Sequence, residues 1–357
     1  MKKLPKLIVA LLFIPLLVQA TTIKRYKYEK IKKIKREFNV NADALLKINN
    51  RYGNVDVISW DGDRIIIEVT ITVKGNDEDK VVRRLETIDV NFDASSSFVS
   101  AKTIIEKRSS TWSWSWGRKS NVNYQIDYKV KVPITNNVNL MNDYGNISLN
   151  ELKGDASINC DYGNINAGDL LSANNKINLD YGNANIAFIK GGTVNVDYSK
   201  FTIEEANTIH LNADYTTSVF EKIKSLDYTC DYGSLKVSNG VVIVGNGDYL
   251  TTRLGTISKK VDITSDYGSI RIENLKEGFD SVDINGDYCG IKIGVPDAPF
   301  NFIIKLSYGS FKRDQENFEY IKQIIKSSSK YYEGYFKAQQ AGATIKIDSD
   351  YGSVTFY

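Results

Sequence analysis

The sequence predicts a mainly β protein: a single-stranded parallel β-helix (β-solenoid) of about ten coils of 17–21 residues, behind an N-terminal cap containing one helix and a β-hairpin. Three observations carry this. Tyrosine recurs at Tyr144, Tyr162, Tyr181, Tyr198, Tyr215, Tyr232, Tyr249, Tyr267, Tyr288 and Tyr308, in steps of 17 to 21 residues, and again at Tyr351; Asp precedes each except Tyr308, which follows Ser307. Apolar and polar residues alternate on both sides of each Asp-Tyr-Gly, as in Ile177-Asn178-Leu179-Asp180-Tyr181-Gly182-Asn183, and a period of two means strand. The apolar positions three and one before the Asp are out of phase with those four and six after it, so the strand must break at a corner between them.

The first element is a leader. Lys2, Lys3 and Lys6 precede an apolar run from Leu7 to Leu17, and Val18-Gln19-Ala20 ends in a small residue, so residues 1–20 read as a signal peptide. The run is shorter than the ~20 residues that cross a bilayer, and no other stretch approaches that length, so no transmembrane segment is expected. The expected location is the periplasm, the outer surface or the medium. Without the three leader lysines the chain holds 43 basic and 43 acidic residues. That balance speaks against a nucleic-acid partner.

Residues 21–138 read as the capping region. It opens on the basic stretch Thr22 to Phe38, expected to be a solvated lead-in strand rather than a membrane- or glycan-binding arm. The strands from Asn41 to Val73 contain a divergent copy of the repeat, Asn50-Arg51-Tyr52-Gly53-Asn54-Val55. Val81, Val82, Leu85 and Ile88 after an acidic first turn predict a helix over 77–88. Phe92 to Glu106 and Asn121 to Val132 alternate and are expected to form a long hairpin. Its tip, 109–120, carries Trp112, Trp114, Trp116 and Arg118. Alternate tryptophans share one face of an extended strand, which suits stacking on a glycan, anchoring at a membrane interface or a protein contact.

Residues 139–310 are the expected stack of coils, its corners including Asp143-Tyr144-Gly145, Asp161-Tyr162-Gly163, Asp180-Tyr181-Gly182, Asp231-Tyr232-Gly233 and Asp266-Tyr267-Gly268. Gly, which tolerates positive φ, is the natural corner residue, although Ser199, Thr216, Leu250 and Cys289 replace it in four copies. Tyrosines in one row are expected to stack as a ladder, and outward Asn159, Asn178, Asn195 and Asn212 to form amide ladders. An exposed tyrosine row would instead offer an aromatic strip for sugars. Residues 311–357 read as an insertion and a last coil, with a helix over Glu316 to Ser327 and a loop or strand at Tyr331 to Phe336 covering the C-terminal edge.

Asn50 to Val55 followed by Trp60-Asp61, a helix after about twenty residues, then serial Asp-Tyr-Gly-Asn/Ser units and a final Asp350-Tyr351-Gly352-Ser353-Val354, resembles a family of exported bacterial proteins with serial β-strand repeats. The family carries the adhesin name provisionally and is a domain of unknown function. The resemblance spans nearly all of the mature chain. It implies export, a β-solenoid and adhesion as a label, and it brings no catalytic residue.

The remaining chemistry is sparse. Carboxylates of Asp161, Asp180, Asp197, Asp214, Asp231, Asp248 and Asp266 stacked ~4.8 Å apart would repel by roughly 1 kcal/mol per pair. An Asx turn to the amide two residues on is the expected compensation; a row of Ca²⁺ ions is the alternative, and no other cofactor is implied. Cys160 and Cys230 lie four coils apart, roughly 19 Å, beyond disulfide reach, and read as small buried hydrophobes. The one histidine, His210, sits inside a regular coil, and no nucleophile elbow, metal spacing or phosphate loop accompanies it. The expected function is therefore a non-catalytic binding or scaffold role toward a cell-envelope glycan or protein. A self-assembling envelope protein and, more remotely, a β-helix polysaccharide enzyme are the alternatives.

Overall fold

The computed structural model describes residues 26–106, 122–314, 316–339 and 341–357. Among them, 26 strands join one hydrogen-bonded sheet, accompanied by a single α-helix. In chain order the first elements are β1 (Tyr28–Asn39), β2 (Leu45–Arg51), β3 (Val55–Trp60), β4 (Arg64–Gly75), α1 (Glu78–Glu86), β5 (Ile88–Ala94), β6 (Phe98–Ile105) and β7 (Asn123–Pro133). The basic lead-in is β1, antiparallel to β4, with Lys30, Lys32 and Lys35 paired to Glu78, Asp89 and Glu68. Asp77 caps α1 by accepting from the Lys80 amide at 3.2 Å, and Val81 is the side chain that the helix buries.

The long hairpin is not formed. Instead β5 turns back on β6 across Ser95-Ser96-Ser97, β6 runs parallel to β2, and β7 inserts between β3 and β4. Alternation identifies strands without naming partners. Here Ile126, Tyr128 and Val130 of β7 bury their faces beside Val55 and Val57 on one side and Ile67, Val69 and Ile71 on the other, so β7 satisfies two neighbours where a hairpin offers one. The tryptophan segment 109–120 lies outside the described residues.

The repeats supply β8 (Asn137–Asp143), β9 (Ile147–Leu152), β10 (Ala156–Asp161), β11 (Asn164–Leu170), β12 (Asn175–Asp180), β13 (Asn183–Asp197), β14 (Lys200–Asp214), β15 (Thr217–Asp231), β16 (Gly233–Asn246), β17 (Leu250–Asp266), β18 (Ser269–Leu275), β19 (Ser281–Asp287) and β20 (Gly290–Ile293). Equivalent strands of consecutive copies pair in parallel and in register. Before the corner, Ile158, Ile177, Val194, Leu211 and Tyr228 stand in line; after it, Leu152, Leu170, Ile189, Ala206, Ile223, Gly240, Ile257 and Leu275 do. Apart from the glycine these side chains are buried, so each copy closes its apolar face against the next.

The corner is made differently from the sequence expectation. Its left-handed residue is the tyrosine: the twelve row tyrosines have φ between 49° and 64°, whereas the glycines that follow do not adopt positive φ. What requires glycine is crowding. A Cβ on Gly163 would lie 2.0 Å from the Gly145 carbonyl oxygen, and one on Gly233 would lie 2.3 Å from that of Thr216. Where the position is Thr216, its hydroxyl turns inward and donates to the Val196 and Asp214 carbonyls.

The last elements are β21 (Phe300–Ser307), β22 (Ser310–Arg313), β23 (Phe318–Ile325), β24 (Ser329–Phe336), β25 (Thr344–Asp350) and β26 (Ser353–Phe356). Two expectations are corrected. Residues Glu316 to Ser327 hold a strand, β23, antiparallel to β24, which itself pairs with β21. Phe318 packs its ring among Phe300, Phe302, Phe336 and Phe356, and a β-hairpin brings Phe318 and Phe336 together as register partners. The copy of Tyr351 is last in the chain and not last in space: β25 lies between β19 and β21.

The corner crowding gives a paired test by chemical denaturation. Gly163→Ala is expected to lose more than ~2 kcal/mol, because backbone must move. At Gly290 a Cβ meets nothing within 4 Å, so Gly290→Ala should stay within ~0.5 kcal/mol of wild type. Equal losses at both positions would contradict the account.

Candidate functional site: an exposed row of tyrosine corners

Each corner holds its tyrosine outward, and successive copies bring the rings together. Twelve rings stack in the order Tyr52, Tyr144, Tyr162, Tyr181, Tyr198, Tyr215, Tyr232, Tyr249, Tyr267, Tyr288, Tyr351, Tyr308, with centroids 4.8–5.3 Å apart and planes within 3–9° of parallel. A left-handed L-residue costs roughly 1–2 kcal/mol, while each aromatic pair contributes about 0.5–1.5. Twelve rings share eleven pairs, about one per tyrosine, so stacking offsets part of the strain and the hydrogen bonds between copies add to it.

The row is both a ladder and a surface. Its interior rings are 48–52% exposed, and none of their hydroxyls has a hydrogen-bond partner among the described residues. Ring faces are covered by neighbouring rings, so what solvent meets is a line of edges and phenol groups. The ends differ. Tyr124 closes the Tyr52 end edge-on at 5.3 Å, with the Arg84 guanidinium 4.5 Å over the Tyr124 ring. Tyr308, 65% exposed, has a ring neighbour on one side alone. An open cleft of about 540 Å³ beside Tyr52 is lined by Tyr26, Thr72, Lys74, Asn123, Tyr124 and Gln125, among others.

Two polar rows flank the tyrosines. Before each corner, Asp carboxylates run parallel to the rings, and their hydrogen bonds overturn the expected Asx turn. Oδ1 of Asp197 accepts from the Asp214 amide, that of Asp214 from Asp231, Asp231 from Asp248, Asp248 from Asp266, and Asp266 from Asp287, at 2.8–3.3 Å. The aspartate thus ties its copy to the next one, because the amide that needs a partner lies on the neighbouring copy. Asp161 and Asp180 accept no such bond, and their carboxyls are pushed above the usual range, first by desolvation and then by neighbouring aspartates. After the corner, amides form the other row: Asn164 Nδ2 donates to Asn146 Oδ1 at 2.8 Å and Asn183 Nδ2 to Asn164 Oδ1 at 2.9 Å. A further ladder joins Asn178, Asn195 and Asn212.

The remaining candidates have structural surroundings. His210 points outward, Nδ1 3.2 Å from the Asp227 carboxylate. Cys160, Cys230 and Cys289 are free and buried; burial pushes the first two thiols up to about 12, which keeps them protonated at neutral pH. Among the described residues no group of three or more His, Cys, Asp and Glu side chains is placed to hold a metal ion, and no helix is long and apolar enough to cross a membrane. The sequence located the tyrosine, aspartate and asparagine rows. It missed Tyr124 and the cleft, which β7 brings to the row from outside the repeats.

No family model matches the chain, and no curated protein does. Several solved structures to which it is similar carry provisional adhesin or cell-adhesion names. A provisionally named cell adhesion protein from Clostridium sporogenes shares 10% identity, with 92% of this chain and 99% of that one covered and a TM-score of 0.18. A provisionally named adhesin from Parabacteroides merdae shares 11%, covering 91% and 96%, with a TM-score of 0.28. A provisionally named lipid-binding protein from Parabacteroides distasonis shares 8%, covering 91% and 96%, at 0.25. At these identities and scores, the functional reading rests on the geometry of the row itself.

The carboxylate row is checked by two substitutions. Asp231→Ala is expected to lose about 0.5–1.5 kcal/mol, because the Asp248 amide loses its acceptor, while Asp231→Asn retains it. Asp180 binds its proton more tightly in the folded chain than in the unfolded one, so its contribution to stability falls as pH rises from ~3.9 through the raised folded value. Asp180→Asn should therefore be at least as stable as wild type at pH 7, the difference fading below about pH 4. A loss at pH 7 equal to that of Asp231→Ala would show that the two carboxylates do the same job.

Proposed function

We propose that this chain is an exported, non-catalytic binding and scaffold protein of the cell envelope, built as a single-stranded parallel β-solenoid that presents its tyrosine row to an extended glycan. The observation that carries this reading is the repeat of the row. Phenol groups, carboxylates and carboxamides recur together at the 4.8–5.3 Å spacing of the rings. Extended β-1,4-linked glycans advance by a similar length per sugar and present hydroxyls at each step. A peptide strand advances about 3.3 Å per residue and falls out of register.

The mode of binding is hydrogen bonding along the row, because the covered ring faces leave no room for sugars to stack on them. Tyr308, with its free side, is the one place in the row for a stacked sugar. Parallel in-register pairing, buried columns and the serial corners support the solenoid; the leader and the family resemblance support export. Trp112, Trp114, Trp116 and Arg118 remain a second candidate contact on the strength of their alternation in the sequence.

The test is a binding isotherm on isolated peptidoglycan and on soluble β-glucan and uronate polymers. Replacing Tyr198, Tyr215 and Tyr232 together by Phe keeps the stack and removes three hydroxyls; affinity for the bound polymer should fall about tenfold or more, with the fold intact. Unchanged affinity in that variant, with binding lost instead when Trp112, Trp114 and Trp116 become Ser, would transfer the site to the tryptophan segment. New reducing or unsaturated ends in the uronate sample would make the protein an enzyme.

A second reading, end-to-end assembly, is favoured by one observation. β23 forms an outer edge of the sheet and leaves Ile321, Ile324 and Ile325 40–60% exposed. Unprotected apolar edges recruit further strands. Light scattering should show association growing with concentration, abolished by Ile321→Lys with Ile325→Lys; a monomer at all concentrations removes this reading.

A further inference from the structure

The position of the C-terminal copy is the one place where spatial order departs from the order of the repeats. The Tyr351 ring stands 4.8 Å from Tyr288 and 5.0 Å from Tyr308. β25 pairs in parallel with β19 on one side and β21 on the other, and β26 with β20 and β22. The tyrosine-amide bond of the corner is made on both sides and the carboxylate bond on the Asp287 side. The Tyr288 amide donates to the Asp350 carbonyl and the Tyr351 amide to that of Ser307, each at 2.8 Å, and the Asp350 amide donates to Asp287 Oδ1 at 3.1 Å. Ile345, Ile347, Val354 and Phe356 are buried. The fit is complete although the segment arrives from a distant part of the chain.

The covalent route keeps this level free for it. From β20 to β21 the chain passes through Gly294–Pro299 and steps over one level, so β21 lands two levels along. Pro296 and Pro299 in that link have no N–H to give to a ladder, so the link itself is a poor occupant of the level it crosses. The tether that delivers β25 runs through 337–343, and a Cβ on its Gly342 would meet nothing within 4 Å. The occupant is therefore tied to the rest of the molecule by a short link, exposed at Lys337, Ala338, Gln339 and Gly342, while being held by main-chain bonds on both edges.

We infer that the level between the copies of Tyr288 and Tyr308 is a strand-accepting slot, filled by Thr344–Phe356 of the same molecule and equally suited to that segment of a second copy of this chain. Its ligand class is a peptide of the form strand, left-handed tyrosine corner, strand. Apolar residues at the positions of 345, 347, 354 and 356 fill the interior. Position 352 is crowded, since a Cβ there would lie 2.5 Å from the Cys289 carbonyl oxygen. Exchange of this segment between molecules links them without any new type of contact.

The test uses the full chain with a protease site placed at Ala341-Gly342, folded first and then cut. The C-terminal fragment is expected to co-elute with the body and to exchange with a labelled synthetic peptide of residues 342–357. A Tyr351→Ala peptide, missing two ring stacks, should occupy the slot about tenfold less well, and a Gly352→Val peptide should not enter. Release of the fragment on dilution, or equal exchange of wild-type and Gly352→Val peptides, overturns the slot. Exchange between molecules is tested by deleting residues 338–341, since a tether too short to reach its own slot forces delivery to a neighbour. Light scattering should then show dimers that excess wild-type peptide dissolves, and a folded, strictly monomeric deletion variant overturns that part.

Discussion

A tyrosine held at positive φ in every copy is the constraint on which the rest depends. Nothing inside one copy compensates for that backbone conformation. The compensation comes from the ring above and the ring below, from the tyrosine amide bonded to the next copy's aspartate carbonyl, and from the carboxylate that accepts the next aspartate's amide. The corner is therefore a cooperative feature: a lone copy has no reason to adopt it, and a stack has no reason to leave it. The same geometry fixes the direction of the phenols and with it the exposed row.

This constraint also explains which substitutions the corner absorbs. Residues after the tyrosine are crowded by the previous copy's carbonyl, so glycine is the simplest occupant. Ser199 donates its hydroxyl to the Asp197 carbonyl of its own copy, Thr216 donates to the Val196 and Asp214 carbonyls, and Cys289 donates its thiol to the Ser265 carbonyl. The tyrosine has no such substitutes: all twelve members of the row, including the divergent Tyr52 and the serine-preceded Tyr308, keep both the ring and the positive φ. Ring registry is kept across copies whose flanking residues drift, and it includes a segment as remote in the chain as Thr344–Phe356.

Much of this was legible in the sequence because a two-residue period and a fixed spacing are local signals. The inward residues Ile158, Cys160, Ile177 and Leu179, and Ile165 and Ala167 after the corner, are all buried as their alternation requires. The asparagine ladders follow from placing identical residues in one register. Less was legible where a strand had a choice of partner. β7 alternates as a hairpin arm would, yet it lies between β3 and β4, and β23 has a spacing compatible with a helix until β24 is beside it. The carboxylates were read as serving their own turn because sequence shows the amide two residues on and not the one on the adjacent copy.

By itself the sequence determined the class of structure and the composition of the row, since tyrosine, aspartate and asparagine at a steady interval have to align once consecutive strands pair. Tertiary structure decided three things that no interval encodes. It assigned positive φ to tyrosine because stacking is a contact between copies; it brought Tyr124 and Arg84 to one end of the row; and it seated the last copy between two earlier ones. Each depends on contacts between residues far apart in the chain, whose energies a local pattern does not contain.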